Sequence, residues 1–168
     1  NLSRSQLGTM DRIEKITGEK VMNYKVDLCD KNALFPVIEK EGKIDGIIHF
    51  AAFKSVPESI EKPYKYYKNN ITSLTNLLDA CEQFHIQHFI FSSSCSVYGK
   101  VATLPVTEET PIGKALSPYA HTKQIGEDII QAYAHQHSDF KAIILRYFNP
   151  IGADMSGQNG EIASNEPH

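Results

Sequence analysis

Residues 88–99 read His88-Phe89-Ile90-Phe91-Ser92-Ser93-Ser94-Cys95-Ser96-Val97-Tyr98-Gly99. After His88 come three apolar residues in succession, and serines take over where they stop. A short, unbroken apolar stretch of this kind predicts a strand buried on both faces. The same texture returns upstream in Gly46-Ile47-Ile48-His49-Phe50-Ala51-Ala52 and downstream across Ala142–Tyr147. Between these strands lie helical patterns. Pro57–Tyr67 and Asn70–Phe84 are both predicted helical, the second with Leu74, Leu77, Leu78 and Cys81 on one side. After a connection over about 100–116, Ser117 and Pro118 mark a helix start, a side-chain cap followed by proline at the first helical position, and the helix runs to about His135. Before residue 44 the pattern predicts a helix over 3–17, with Leu7, Met10, Ile13 and Ile16 apolar and Gly18 as its stop. A strand at Val21–Val26 and a helix at Asn32–Glu41, ended by Gly42, follow. Alternating strands and helices predict α/β, a Rossmann-like parallel sheet with helices on both faces.

Composition bounds the function. The chain has 168 residues, 41% apolar and 22% charged, which is one domain's worth of chain with material for a core. Its 17 basic and 20 acidic residues give a net charge of −3, and the basic cluster Lys62–Lys68 is interrupted by Tyr64, Tyr66 and Tyr67. No nucleic-acid partner is expected from that balance. No apolar run approaches the ~20 residues that span a bilayer, so no membrane partner is expected. Cys29, Cys81 and Cys95 form no C-x-x-C pair, which predicts neither a disulfide framework nor a cysteine zinc site and suits a reducing, cytosolic setting. His85 with His88, and His135 with His137, come without matching carboxylates or cysteines, so no metal is expected. The sequons at Asn1 and Asn70 read as chance matches.

The chemistry-bearing cluster is Ser92–Ser96 together with Tyr119-Ala120-His121-Thr122-Lys123. Ligands of open α/β sheets bind beyond the carboxyl ends of the strands, where the serines sit. Tyr119 and Lys123 are four apart on a helix and share one face. A lysine cation alongside favours the phenolate and brings a tyrosine toward use as a general base. A serine hydroxyl can bond the same substrate oxygen. Taken singly, a Y-x-x-x-K spacing is also ordinary surface decoration of a helix, and serines after a strand are ordinary turn residues.

Longer motifs occur in order along nearly the whole chain. They are Asp27-Leu28, Ile48 to Val56, Glu58-Ser59, Lys62-Pro63, Tyr66-Tyr67, Asn69-Asn70, Phe89 to Ser94, Val97-Tyr98-Gly99, Ser117-Pro118-Tyr119, Lys123, and Arg146 to Ala153. On these motifs the chain resembles the extended short-chain dehydrogenase/reductase family, in its UDP-glucose 4-epimerase branch. The resemblance implies Tyr119 as base, Lys123 as its electrostatic partner and ribose ligand, and Ser94 as the hydrogen-bonding partner at the substrate hydroxyl. It further implies NAD as cofactor, held by Asn1, Leu2, Ser3, Arg4, Ser5, Asp27, Leu28, Phe50, Ala51, Ala52, Phe53, Lys54, Asn70 and Phe148. Asn149 is implied to contact the UDP-sugar. The implied reaction exchanges UDP-glucose and UDP-galactose: Tyr119 takes the 4-hydroxyl proton, NAD takes the C4 hydride, and the hydride returns to the other face of the turned keto sugar. A homodimer through helices 70–84 and 117–136 is also implied, with Leu74, Leu78 and Ile129 as contributors.

Nucleotide-sugar 4,6-dehydratases of similar fold carry Thr-Asp-Glu where this chain has Ser94-Cys95-Ser96, and a thiol and a hydroxyl cannot replace two carboxyls in elimination. Another UDP-sugar epimerase, or a non-catalytic derivative of the fold, remains a competing reading. No G-x-x-G-x-x-G occurs in the chain. The resemblance places that phosphate loop ahead of Asn1 and a substrate domain beyond His168. Residues 1–168 are therefore expected to be a partial NAD-binding Rossmann domain lacking its first two strands, with 149–168 leading toward the substrate domain. In the 3-2-1-4-5-6 strand order the segment at 21–26 would be strand 3 and that at 46–50 strand 4.

Overall fold

The computed structural model describes residues 2–3 and 8–160, which fall into two compact units: 28–148, and the described residues of 1–27 with those of 149–168. The larger unit holds α2 (Lys31–Glu41), β1 (Gly46–His49), α3 (Val56–Glu61), α4 (Pro63–Gln83), β2 (His88–Ser94), a 3-10 turn (Cys95–Tyr98), α5 (Pro118–Gln136) and β3 (Lys141–Tyr147). All three strands are parallel with β2 in the middle, and Ile48, Ile90 and Ile143 lie in one row across them. The α/β, Rossmann-like reading of the sequence is therefore what the chain adopts.

Side chains alternate across a strand, so β2 sends Phe89, Phe91 and Ser93 to one face and Ile90, Ser92 and Ser94 to the other. The first set is buried, because α5 lies against β2 and β3 while α4 packs on α5. Gly126 permits that approach: a Cβ there would stand 2.8 Å from the Phe91 ring. Tyr66, Leu74, Val97 and Ile130 complete a nearly dry core. The helices of this unit form one layer. On the opposite sheet face Ile48, Ile143 and Leu145 are 62%, 57% and 37% exposed.

Helix boundaries follow local chemistry. Asp30, Ser55 and Ser117 cap α2, α3 and α5 by accepting the amides of Ala33, Glu58 and Ala120 at 3.1, 3.3 and 3.1 Å. The expected break near residues 68–69 falls instead at Lys62. Proline has no N–H and crowds the preceding turn, so α3 stops before Pro63 and α4 starts on it, running unbroken through Asn69 and Asn70. The connection after β2 is pinned where its two ends cross. A Cβ at Gly99, whose φ is +62°, would run into the Lys114 carbonyl, and Gln124 Nε2 donates to the carbonyls of Val97 and Gly113 at 2.8 and 2.7 Å.

The smaller unit contains α1 (Thr9–Thr17), ended by Gly18 in the left-handed conformation as expected, with Met10, Ile13 and Ile16 half-buried. Leu7 lies outside the described residues. Val21–Val26 does not form the expected strand: no sheet pairing takes it in among the described residues. The Val26 amide donates to the Tyr24 carbonyl at 3.0 Å, a tight turn that extended ladder geometry does not allow. Apolar alternation marks a segment that could be a strand, but a strand exists only through a paired neighbour. Among the described residues no helix is long and apolar enough to cross a membrane.

Candidate active site

The site is assembled at the carboxyl ends of β1 and β2. Ser94 ends β2 and starts the 3-10 turn, where its Oγ accepts from the Ser96 amide at 3.2 Å and the Ser96 hydroxyl at 3.0 Å. Tyr119 and Lys123 occupy the first turns of α5 and face the same strand end. The Tyr119 hydroxyl faces the Ser94 side chain, which acts to favour its phenolate. Lys123 is buried; its Nζ donates to the Ser92 carbonyl at 2.5 Å and stands 4.8 Å from the Phe91 ring centroid and 5.9 Å from that of Tyr119. The three residues expected to do chemistry thus converge.

Their electrostatics differ from the expectation in one respect. Tyr119 sits above the ordinary phenol value because burial outweighs the pull of Ser94 toward its phenolate, and the Coulombic effect of Cys95 adds to the rise. Burial lowers Lys123 to about 8. His49, buried in β1 between the rings of Phe89 and Phe91, is lowered to about 4 by desolvation and then by the Lys123 charge.

The segment after β1 supplies the other residues of the larger unit. Phe50, Ala51 and Lys54 are exposed, Ala52 and Phe53 half-buried, and Phe50 packs 6.0 Å from Tyr147. Phe53 lies 5.7 Å from the Tyr66 ring and 4.5 Å below Lys65 Nζ, and Glu58 accepts from both Lys65 and Tyr66. Asn70 is buried and its amide is fully used. It accepts from the Phe53 amide at 2.9 Å and the Asn69 amide at 3.0 Å, and donates to the Phe53 carbonyl and Thr122 Oγ1, both at 3.1 Å. Thr122 in turn donates to the Tyr119 carbonyl at 2.7 Å. Asn70 therefore braces the Phe53 segment against the first turn of α5, and such an amide is no glycan acceptor. Leu28 is half-buried, with its carbonyl held by Asn76 at 2.8 Å. Phe148 is exposed at the end of β3.

Leu2, Ser3, Asp27 and Asn149 belong to the smaller unit. Asn1, Arg4 and Ser5 lie outside the described residues. Leu74 and Leu78, implied as interface contributors, are 1% and 4% exposed and belong to the core of one chain; Ile129 is half-buried. Among the described residues no group of three or more His, Cys, Asp or Glu is placed to hold a metal ion.

Sequence reading missed a second polar cluster beneath this one. Glu127 is fully buried and receives Ser93 Oγ at 2.5 Å and three contacts from the Arg146 guanidinium between 2.7 and 3.2 Å. The signal was present: an acidic residue one turn beyond Lys123, and an arginine inside an apolar strand, are opposite charges that burial forces to pair.

Known proteins sharpen the comparison. The profile of the NAD dependent epimerase/dehydratase family matches residues 3–165. A UDP-glucose 4-epimerase of Erwinia amylovora is 42% identical over 168 residues, all of this chain and 50% of that protein, and one of Drosophila melanogaster is 43% identical over 159 residues, 95% of this chain and 45% of its own. Among solved structures, the UDP-glucose 4-epimerase of Bifidobacterium longum in complex with NAD+ and UDP superposes with a TM-score of 0.90 at 41% identity, covering 94% of this chain and 47% of that one. The Stenotrophomonas maltophila enzyme, with bound NAD and formylated UDP-arabinopyranose, gives 0.93 at 35% identity, covering 99% and 49%. The chain spans about half the length of the curated relatives it matches. A match through the strand-end serines, the Tyr119–Lys123 helix and the sheet that joins them leaves one conclusion: this chain belongs to the NAD dependent epimerase/dehydratase family.

Proposed function

We infer that these residues form the catalytic half of an NAD-dependent UDP-sugar 4-epimerase that interconverts UDP-glucose and UDP-galactose, a reaction of galactose metabolism. The observation that carries the reading is the convergence of Ser94, Tyr119 and Lys123 at the end of β2, where Lys123 Nζ holds the Ser92 carbonyl and Ser94 acts on the Tyr119 hydroxyl. The residues suit the cofactor: Lys123 brings a buried ammonium to the strand end, and Asn70 stiffens the Phe50–Lys54 segment from below. Phe50, Ala51, Ala52, Phe53, Lys54, Lys123 and Phe148 are the residues of the larger unit that would hold NAD there, with Asn70 acting through the Phe53 backbone. When bound, NAD supplies a reversible hydride acceptor.

The protein's own part is proton chemistry and orientation. Tyr119 accepts the proton of the sugar 4-hydroxyl as the C4 hydride leaves, and gives it back when the hydride returns to the opposite face, so proton and electron pair balance over a cycle. Ser94 holds the same oxygen and favours the Tyr119 phenolate. Asn149 is assigned to the UDP-sugar, and Leu2, Ser3, Asp27 and Leu28 to the adenosine half of the cofactor. The paired copy is assigned to the outward faces of α4 and α5. Cys29, Cys81 and Cys95 are unlinked thiols, which suits a reducing, cytosolic setting.

The test is substitution in the intact protein. Tyr119→Phe is expected to lower epimerisation by at least about a hundredfold, within the range ascribed to a general base, while nucleotide binding persists. Lys123→Ala is expected to weaken both turnover and NAD retention. Near-parental epimerisation by Tyr119→Phe would sink the assignment.

A further inference from the structure

Glu127 occupies an unusual position. Its carboxylate is wholly shielded from water, yet both oxygens are in use: Oε1 accepts from Ser93 Oγ at 2.5 Å and from Arg146 Nε at 3.0 Å, and Oε2 from Arg146 Nη2 at 2.7 Å. Arg146 then donates through Nη1 to the Tyr98 hydroxyl at 3.1 Å and lies 5.0 Å over that ring. One carboxylate on α5 is thereby tied to β2, to β3 and to the 3-10 turn after β2. Burying an ion pair is expensive, and apolar side chains of similar volume would fill the space with equal or better stability. What apolar contacts do not provide is a fixed register, since hydrogen bonds are directional and packed methyl groups can slide.

The register at stake is that of the site. Lys123 and Glu127 are one turn apart on α5 and grip successive residues of β2, Lys123 the Ser92 carbonyl and Glu127 the Ser93 hydroxyl. Ser94 is the next residue, and Tyr119 is one turn back along the helix. We propose that Glu127 is a positioning residue, whose carboxylate, clamped by Ser93 and Arg146, prevents α5 from sliding along β2 and so sets the Tyr119 hydroxyl against Ser94. The proposal rests on the reading of Ser94, Tyr119 and Lys123 as the reacting site.

The test compares Ser93→Ala, Glu127→Gln and Tyr119→Phe in the intact protein by steady-state epimerisation across pH. Ser93→Ala removes only the bond to β2; Glu127→Gln keeps the volume but sets an amide against the arginine donors. Both are expected to lower kcat about tenfold or more, as a displacement of order 1 Å in a reacting group does, with KM within about threefold. The acid limb of kcat should move to higher pH as Ser94 loses its hold on the Tyr119 phenolate. A purely structural role would leave that limb in place. Should a single variant fail to fold, Glu127→Met with Arg146→Met removes both charges at similar volume, and its kcat should show the same loss. Parental kcat and acid limb in folded Ser93→Ala and Glu127→Gln, or in the double variant, overturn the positioning role. Full turnover in Tyr119→Phe overturns the reading of the site instead, so the two failures are told apart.

Discussion

At the scale of single residues, burial sets the chemistry of this site more than charge pairing does. His49 is the clearest case. Desolvation and the Lys123 ammonium hold it at about 4 against an ordinary 6.5, so it is neutral in the folded chain at pH 7. The unfolded chain takes up a proton at His49 as pH falls below 6.5, and the folded chain does not until about 4. Stability from this group is therefore full above 6.5 and is lost as pH falls toward 4, at about 1.4 kcal/mol per pH unit. His49→Phe keeps a ring between Phe89 and Phe91 and removes that dependence. Denaturant titrations of both proteins at pH 7 and pH 4.5 measure it: the parent should lose more stability on acidification than the variant, and equal losses would show that His49 stays protonatable in place. The sequence named His49 only as part of an apolar strand, because nothing in its neighbours says that a lysine 74 residues on arrives beside it.

At the scale of elements, the site depends on how closely α5 approaches β2. Gly126 sets that approach, since its missing Cβ leaves room for the Phe91 ring, and Phe91 is itself buried. Gly126→Ala would add about 1 kcal/mol of helix propensity, but the methyl group would meet the ring at 2.8 Å. Overpacking of a tight core costs about 1–3 kcal/mol, so the net expectation is a modest loss of stability. The helix should also be displaced from the strand end that holds Ser94. Urea unfolding measures the first effect and, on the proposed function, epimerisation by the intact protein measures the second. Phe91→Leu, introduced alongside, should restore both by vacating the space. A Gly126→Ala protein as stable and active as its parent would show that the ring yields freely. The break at Pro63 shows the opposite situation, in which the backbone chemistry of one residue set an element boundary whatever the surroundings.

At the scale of the whole molecule, the sheet face opposite α4 and α5 governs behaviour. Ile48, Phe50, Ile143, Leu145, Tyr147 and Phe148 are each between 37% and 62% exposed. Parallel sheets are ordinarily covered on both faces, and apolar patches of this kind drive association. The 168-residue chain by itself is therefore expected to self-associate and to bind NAD at best weakly. Sedimentation, a thermal melt and calorimetric titration with NAD decide this. A monodisperse monomer with a sharp melt and micromolar NAD affinity would show that the open face is harmless.

The sequence by itself determined the elements from α2 to β3 and their order, the boundary between α3 and α4 apart. Apolar runs, the cap at Ser117 and the proline that follows it act through neighbours a few residues away, and those signals survive in any context. It also named the Ser92–Ser96 cluster with Tyr119 and Lys123, because a helix turn and a strand end present them predictably, and the family resemblance singled out Ser94. Only the tertiary structure decided the rest. Val21–Val26 carries strand-like alternation but joins no sheet among the described residues, since a strand needs a neighbour that local sequence does not supply. Leu74 and Leu78 lie in the core and not on an outer face, Asn70 serves the Phe53 backbone, and Glu127 joins three elements. Each of these depends on residues far apart in the chain, and burial and hydrogen-bond geometry at such distances exist only once the helices have docked on the sheet.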